Sequence, residues 1–170
     1  TAEQKEKLTE RLNYIIDSLA DCQKKTEGVT GIEGYIFGAT LPSSEFKKNV
    51  VLQFDNVESG KTNISTQAWV PWYTMHKILA GLTDAYEVAG NETALEVANK
   101  LATWIADRAN SWDTSTQNKV LSVEYGGMND ALYQLYKVTD ASNKEDFYSA
   151  AHKFDETSLF EGVLKGTDNI

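Results

Sequence analysis

The chain has little of what ends helices or ties loops together. Its 170 residues include two prolines, Pro42 and Pro71, and a single cysteine, Cys22. Two prolines leave long stretches free to be helical. One cysteine excludes an internal disulfide and a cysteine-rich zinc site. Cys22 falls within a helical pattern and is expected to be a small buried or half-buried thiol. No apolar run approaches the roughly 20 residues needed to cross a bilayer. Positive charge is also scarce: 16 Lys and Arg stand against 25 Asp and Glu, a formal charge of −9. That field repels nucleic acid and anionic membranes and is indifferent to a neutral ligand such as a sugar. The chain starts at Thr1, so a leader is expected to have been removed. A secreted or cell-surface bacterial location is expected over a cytoplasmic one.

What is present reads as helix. Leu8, Leu12, Ile15, Ile16 and Leu19 have helical spacing and predict one amphipathic helix over Ala2–Lys25. From about 26 to 68 the character changes. Gly28, Gly31, Gly34 and Gly38 crowd together, Pro42 and Gly60 follow, and this predicts one long irregular loop with a possible short strand at Val50–Phe54. Pro71 suits the first turn of a helix whose stripe, Met75, Ile78, Leu79, Leu82, Tyr86 and Val88, runs to a stop at Gly90. Asn91 caps the next helix, with Leu95, Ala98, Leu101, Trp104 and Ile105 inward. A short helix is expected over Thr114–Leu121 and another after Gly126-Gly127. Ser142 and Glu145 read as a capping box opening a further helix through Phe147, Ala150 and Phe154. A weak helical pattern surrounds Leu159 and Phe160.

These elements repeat. Tyr86-Glu-Val88 and Tyr136-Lys-Val138 match at an offset of 50 (86 to 136), and Asn91 and Asn143 match at 52 (91 to 143). Each unit is a helix, a tight turn and a helix, and such hairpins bury their apolar faces only by stacking. The fold class predicted is all-α: stacked αα-hairpins, a single helical domain over 1–170 that forms part of an (α/α)6 toroid. Turns within the hairpins are short. The connections between them carry the unusual residues: Trp69 to His76 opens one hairpin and Glu124 to Asn129 opens the next. The register puts both at one end of the bundle.

Trp69, Trp72, Tyr73 and Tyr125 offer flat faces suited to sugar C–H surfaces, or else fill the packing at helix starts. His76 is either a satisfied core residue or a pocket residue, and His152 is expected to be structural. Glu124 is the best carboxylate candidate, for sugar hydroxyls or catalysis. Its alternative is favourable charge at a helix N-terminus. A glycosidase needs a pair of flanking groups, and no convincing pair is present, so no catalytic residue is assigned. Gly126-Gly127 either brings backbone close to a ligand or eases a tight turn. Asn63-Ile-Ser65 and Asn91-Glu-Thr93 match glycosylation acceptors at a level that chance explains.

The segment Val70-Pro-Trp-Tyr-Thr-Met-His-Lys-Ile-Leu-Ala-Gly-Leu-Thr-Asp-Ala-Tyr86, with Gly90-Asn-Glu-Thr-Ala-Leu-Glu-Val-Ala, resembles glycoside hydrolase family 127, the β-L-arabinofuranosidase family. Glu124-Tyr-Gly-Gly-Met-Asn-Asp-Ala-Leu-Tyr-Gln-Leu-Tyr136 is similar to that family's second block. The likeness covers roughly 65–170. It implies release of L-arabinofuranose or a related sugar from plant-type glycans, with retention of configuration. It also implies a cysteine nucleophile beside zinc and a glutamate acid/base, all from sequence beyond this chain. Cys22 takes no such role, and no cofactor is expected in this chain itself. The resemblance places His76, Glu124, Tyr125 and Asn129 in the sugar pocket's wall, to which the aromatic argument adds Trp72 and Tyr73. Exposed hairpin edges imply self-association. The rival reading is a non-catalytic helical-repeat module binding a glycan or a protein.

Overall fold

The computed structural model describes residues 1–36, 49–62 and 70–166; Trp69 and the Asn63-Ile-Ser65 motif lie outside them. The described residues form eight helices and no strand. These are α1 (Ala2–Thr30), α2 (Leu52–Glu58), α3 (Pro71–Ala89), α4 (Glu92–Ala109), α5 (Thr114–Glu124), α6 (Met128–Val138), α7 (Lys144–His152) and α8 (Thr157–Leu164). The chain is all-α, as its periodicity predicts. The region from 26 to 68 departs from the expected loop at two places. Helix α1 runs on through Gly28 and stops only at Gly31, in the left-handed region at φ +71. The strand expected at Val50–Phe54 is instead the start of α2, held by contact with α5 and α3.

Two hairpins form the body. Helices α3 and α4 join at Gly90, whose φ of +66 suits glycine and ends α3, and Asn91 caps α4 by accepting from the Ala94 N–H at 2.9 Å. Helices α6 and α7 form the second hairpin. Helix α3 packs on α6 and α4 on α7, so the units stack in register. Helix α1 lies along α4. The facing stripes Met75, Leu79 and Leu82, then Ala98, Leu101 and Ile105, then Leu132 and Leu135, then Phe147 and Ala150 are all buried. Each large one contributes about 1.5–3 kcal/mol of transfer free energy. The alanines among them let α4 and α7 approach closely.

The second hairpin is the shorter. Helix α3 has 19 residues and α6 has 11. At the repeat offset, the span matching α3 is interrupted at Tyr125–Gly127, where α5 ends and α6 begins. Gly126 and Gly127 sit at φ +87 and +88, a conformation that L side chains rarely adopt. The break falls at the position equivalent to His76. In the shortened turn Thr139 donates to Asn99 Oδ1 at 2.8 Å, and Asn143 Nδ2 donates to Thr103 Oγ1 at 3.0 Å.

Several local expectations are corrected. The Ser142/Glu145 capping box does not form: Asn143 precedes α7 without a side-chain cap, and Glu145 Oε1 accepts from the Tyr136 hydroxyl at 3.1 Å instead. The capping box that is present joins Thr1 and Gln4 at the start of α1. Val88 points to solvent, as do Leu8 and Ile15, and of the α1 stripe Ile16 alone is fully buried. Cys22 is exposed.

Trp72 is the centre of an aromatic cluster. Its ring lies 4.8 Å from Phe54, 5.2 Å from Trp112, 5.3 Å from Phe154 and 5.9 Å from Trp104, with the last pair stacked. The cluster gathers α2, α3, α4 and the chain after α7 behind the start of α3. Arg108 of α4 adds a charged tie to α2. Its Nε lies 2.5 Å from Glu58 Oε1, and its guanidinium also pairs with Asp55.

Candidate functional site

Helix α3 starts without a conventional cap. Val70 precedes Pro71 at φ 38 and ψ 63, and among the described residues it is the one non-glycine with positive φ. A β-branched residue there is strained by about 1–3 kcal/mol, and its side chain offers no hydrogen-bond acceptor for the free N–H groups of the first turn. Glu124 supplies one from the next hairpin. Its Oε2 accepts from the Tyr73 N–H at 2.9 Å, across 51 positions. The third residue of a helix is where an N-cap side chain normally bonds.

Glu124 is also the last residue of α5, so its charge sits at the unfavourable end of its own helix and the favourable end of α3. It is 7% exposed, and its Oε1 is buried with no partner among the described residues. Burial pushes its carboxyl up to about 7, against a smaller downward pull from the N–H groups of Tyr73 and Trp72. The sequence alternative of a carboxylate at a helix N-terminus therefore holds, for α3 rather than the helix that follows it.

One turn into α3, His76 is 6% exposed, and its Nδ1 is buried with no hydrogen-bond partner among the described residues. A Cβ added to Gly127 would lie 2.5 Å from its Nε2, so the close approach of backbone to ring requires glycine there. Gly126 faces open space. Burial, and then the neighbouring Lys77 charge, hold the His76 imidazolium below its usual range.

The openings of both hairpins thus meet at one rim, through Tyr73 with Glu124 and His76 with Gly127. Of the sequence-predicted residues, Tyr73 and Tyr125 present their rings to solvent, at 51% and 60% exposure. The Tyr73 ring has His76 edge-on at 4.8 Å and the Lys77 ammonium 5.2 Å from its centroid. Trp72 is 1% exposed within the aromatic cluster, so the packing alternative holds for it and no ring face is left for a sugar.

Asn129, at the start of α6, turns to a group that sequence reasoning missed. Its Nδ2 donates to Asp155 Oδ1 at 3.0 Å, while Asp155 Oδ2 accepts from the Tyr133 hydroxyl at 3.2 Å and lies 2.8 Å from His152 Nδ1. Burial, then the Asp155 charge, raise the Tyr133 hydroxyl to about 12. The signal available in the sequence was the spacing of His152 and Asp155, three apart at the end of α7.

A separate cavity of about 630 Å³ lies between α1 and the first half of α4, lined by Gln23, Lys24, Glu27, Glu96 and Lys100. It is at the opposite end of the hairpins from the rim. Among the described residues no three of His, Cys, Asp and Glu cluster as metal ligands. No helix among the described residues is long and apolar enough to cross a membrane.

Helix pairs stacked in register, with their chemistry gathered where one pair leads to the next, define a segment of the αα-toroid class. The family described as Beta-L-arabinofuranosidase, GH127 catalytic domain, matches residues 1–170, and the chain belongs to it. The domain is therefore of the glycoside hydrolase, arabinofuranosidase-like type, with carbohydrate as its substrate class. The match takes in the first 65 residues as well, which the motifs alone did not cover. No curated protein matches the chain.

Proposed function

We propose that the domain serves the release of L-arabinofuranose, or a closely related sugar, from plant-type glycans with retention of configuration, and that this rim is the sugar-facing wall. The observation that carries the reading is two exposed tyrosine rings, Tyr73 and Tyr125, beside the buried His76 and Glu124 and the half-buried Gly127 that lies against His76. Tyrosine gives a sugar an apolar face and a hydroxyl edge together. The exposed Gly126 backbone adds a polar surface that no side chain obstructs.

The chemistry of bond cleavage does not come from this rim. A retaining glycosidase flanks the scissile bond with an acid/base and a nucleophile. Glu124 has the raised pKa of a general acid, but one oxygen is held by the Tyr73 N–H and the other is buried, which favours support of α3 over proton donation to a glycosidic oxygen. The chain's part is binding.

Calorimetric titration of chain 1–170 with L-arabinose tests the reading. Binding is expected, and Tyr73→Ala and Tyr125→Ala are each expected to weaken it about tenfold, the effect of losing one stacking contact. Unchanged affinity in both variants would overturn the assignment of the rim. The same chain is expected to leave a nitrophenyl arabinofuranoside intact, and turnover would contradict the binding role.

A further inference from the structure

We propose that Glu124 is a positioning residue for His76, locking the imidazole against Gly127 by capping α3 from the neighbouring hairpin. Three observations converge on it. First, α3 has no cap of its own, because Val70 occupies that position in a strained conformation and offers no side-chain oxygen. Second, Glu124 bonds the Tyr73 N–H, and the His76 ring lies edge-on to the Tyr73 ring one turn further on. Third, Glu124 and Gly127 belong to one short connection, so the segment that caps α3 also lies beside the His76 ring, with no room for a Cβ at Gly127. The carboxylate fixes the start of α3 from one side while the glycine fixes the imidazole from the other. The two contacts support each other: a slip of α3 along its axis would move His76 away from Gly127.

The arrangement gives the buried carboxyl a purpose. A carboxylate with one unpartnered oxygen is costly to bury, and a neutral core residue would serve stability better. Its acceptor is needed at a particular amide. The other charged groups acting on His76 are Lys77 on α3 and Asp130 on α6, with opposite effects, and neither touches the Tyr73 amide bond. That His76 then faces a sugar rests on the function proposed above, whereas the coupling of Glu124 to His76 does not.

The test is an NMR pH titration of the His76 ring in the full 1–170 chain, in parallel with Glu124→Gln, Glu124→Asp, Glu124→Ala and Leu135→Ala. Gln keeps an acceptor of the same reach and is expected to leave the His76 ring shifts close to the parent's. Asp is one methylene shorter and Ala has no acceptor; both are expected to move the His76 ring shifts and its titration midpoint toward an ordinary, more exposed histidine. Leu135→Ala removes a buried side chain of α6 and is expected to lower stability without moving His76. If Ala fails to fold, Asp decides. His76 signals unchanged in the Asp variant, or moved as far by Leu135→Ala, would overturn the proposal. L-arabinose affinity measured on the same samples separates the two readings. Absence of binding by the parent chain contradicts the sugar reading, while the His76 signals still decide the coupling.

Discussion

Glu124 and Tyr73 lie 51 positions apart, and a carboxylate at the end of one helix accepts the third amide of another. This bond ties the connection that leads into the second hairpin to the start of the first. It also makes the stability of the chain depend on pH in an unusual direction.

The Glu124 carboxyl titrates near 7 in the folded chain against 4.5 as an ordinary glutamate, so the folded state holds its proton more tightly than the unfolded one. Its contribution is most favourable below 4.5, declines as pH rises from 4.5 to 7, and is level above that. The decline is on the order of 3 kcal/mol. His76 acts with the opposite sign: its lowered affinity for a proton means that stability is lost as pH falls below 6.5. Glu124→Gln removes the first effect and leaves the second. Urea denaturation at pH 5 and pH 8 is expected to show the parent losing more stability on going to pH 8 than the Gln variant. Equal losses would contradict the assignment.

Gly127 and Gly126 share a left-handed backbone and differ in surroundings. Alanine at 127 meets both the conformational cost and the His76 ring, so a loss of about 2–4 kcal/mol is expected. Alanine at 126 meets open space and the backbone cost alone, about 1 kcal/mol. Chemical denaturation of the two variants checks the order, which should not reverse.

Trp72 and Tyr73 are adjacent in sequence and opposite in consequence. Trp72→Ala empties the centre of the aromatic cluster and is expected to cost about 3–5 kcal/mol. Tyr73→Ala removes an exposed ring and is expected to cost less than about 1 kcal/mol while weakening the sugar. Melting temperatures set beside the calorimetric affinities of both variants separate core from wall.

Val70 holds a conformation that asparagine adopts more readily. Val70→Asn is expected to stabilise the chain by about 1 kcal/mol, read as a rise in melting temperature of a few degrees. A fall would show that the Val70 side chain contributes more than its backbone costs.

Helix α8 has no buried residue and presents Phe160, Val163 and Leu164 to solvent. Together with the exposed Leu8 and Ile15 of α1, this predicts concentration-dependent association of the chain. Sedimentation velocity is expected to show species larger than 18.9 kDa that Phe160→Ser with Val163→Ser reduces.

Periodicity and punctuation made most of the fold legible. Pro71, Gly90 and Asn91 mark α3 and α4 because each supplies something the backbone needs at that point: a fixed φ, a left-handed φ and a cap. The repeat made the shared rim legible, since stacked hairpins in register must place like connections together. What escaped was decided by distant contacts. Val50 and Val51 carry strand propensity, yet the segment they open is helical, because Phe54 enters the tryptophan cluster and Asp55 and Glu58 meet Arg108. Glu145 looked like half of a capping box, but Tyr136 takes its oxygen. Trp72 beside Tyr73 gave no clue to which ring points inward until the helix phase was fixed by Met75 and Leu79. The choice between catalysis and support for Glu124 required knowing that its second oxygen is sealed.

Sugar is proposed to meet the joined openings of the two hairpins. Mapping backbone amide shifts of the 1–170 chain during titration with L-arabinose tests it most directly. The largest changes are expected at Tyr73, Tyr125, Gly126 and Gly127, with Gln23 and Glu96 of the distant α1–α4 cavity unmoved. Changes centred on that cavity, with the rim silent, would contradict it.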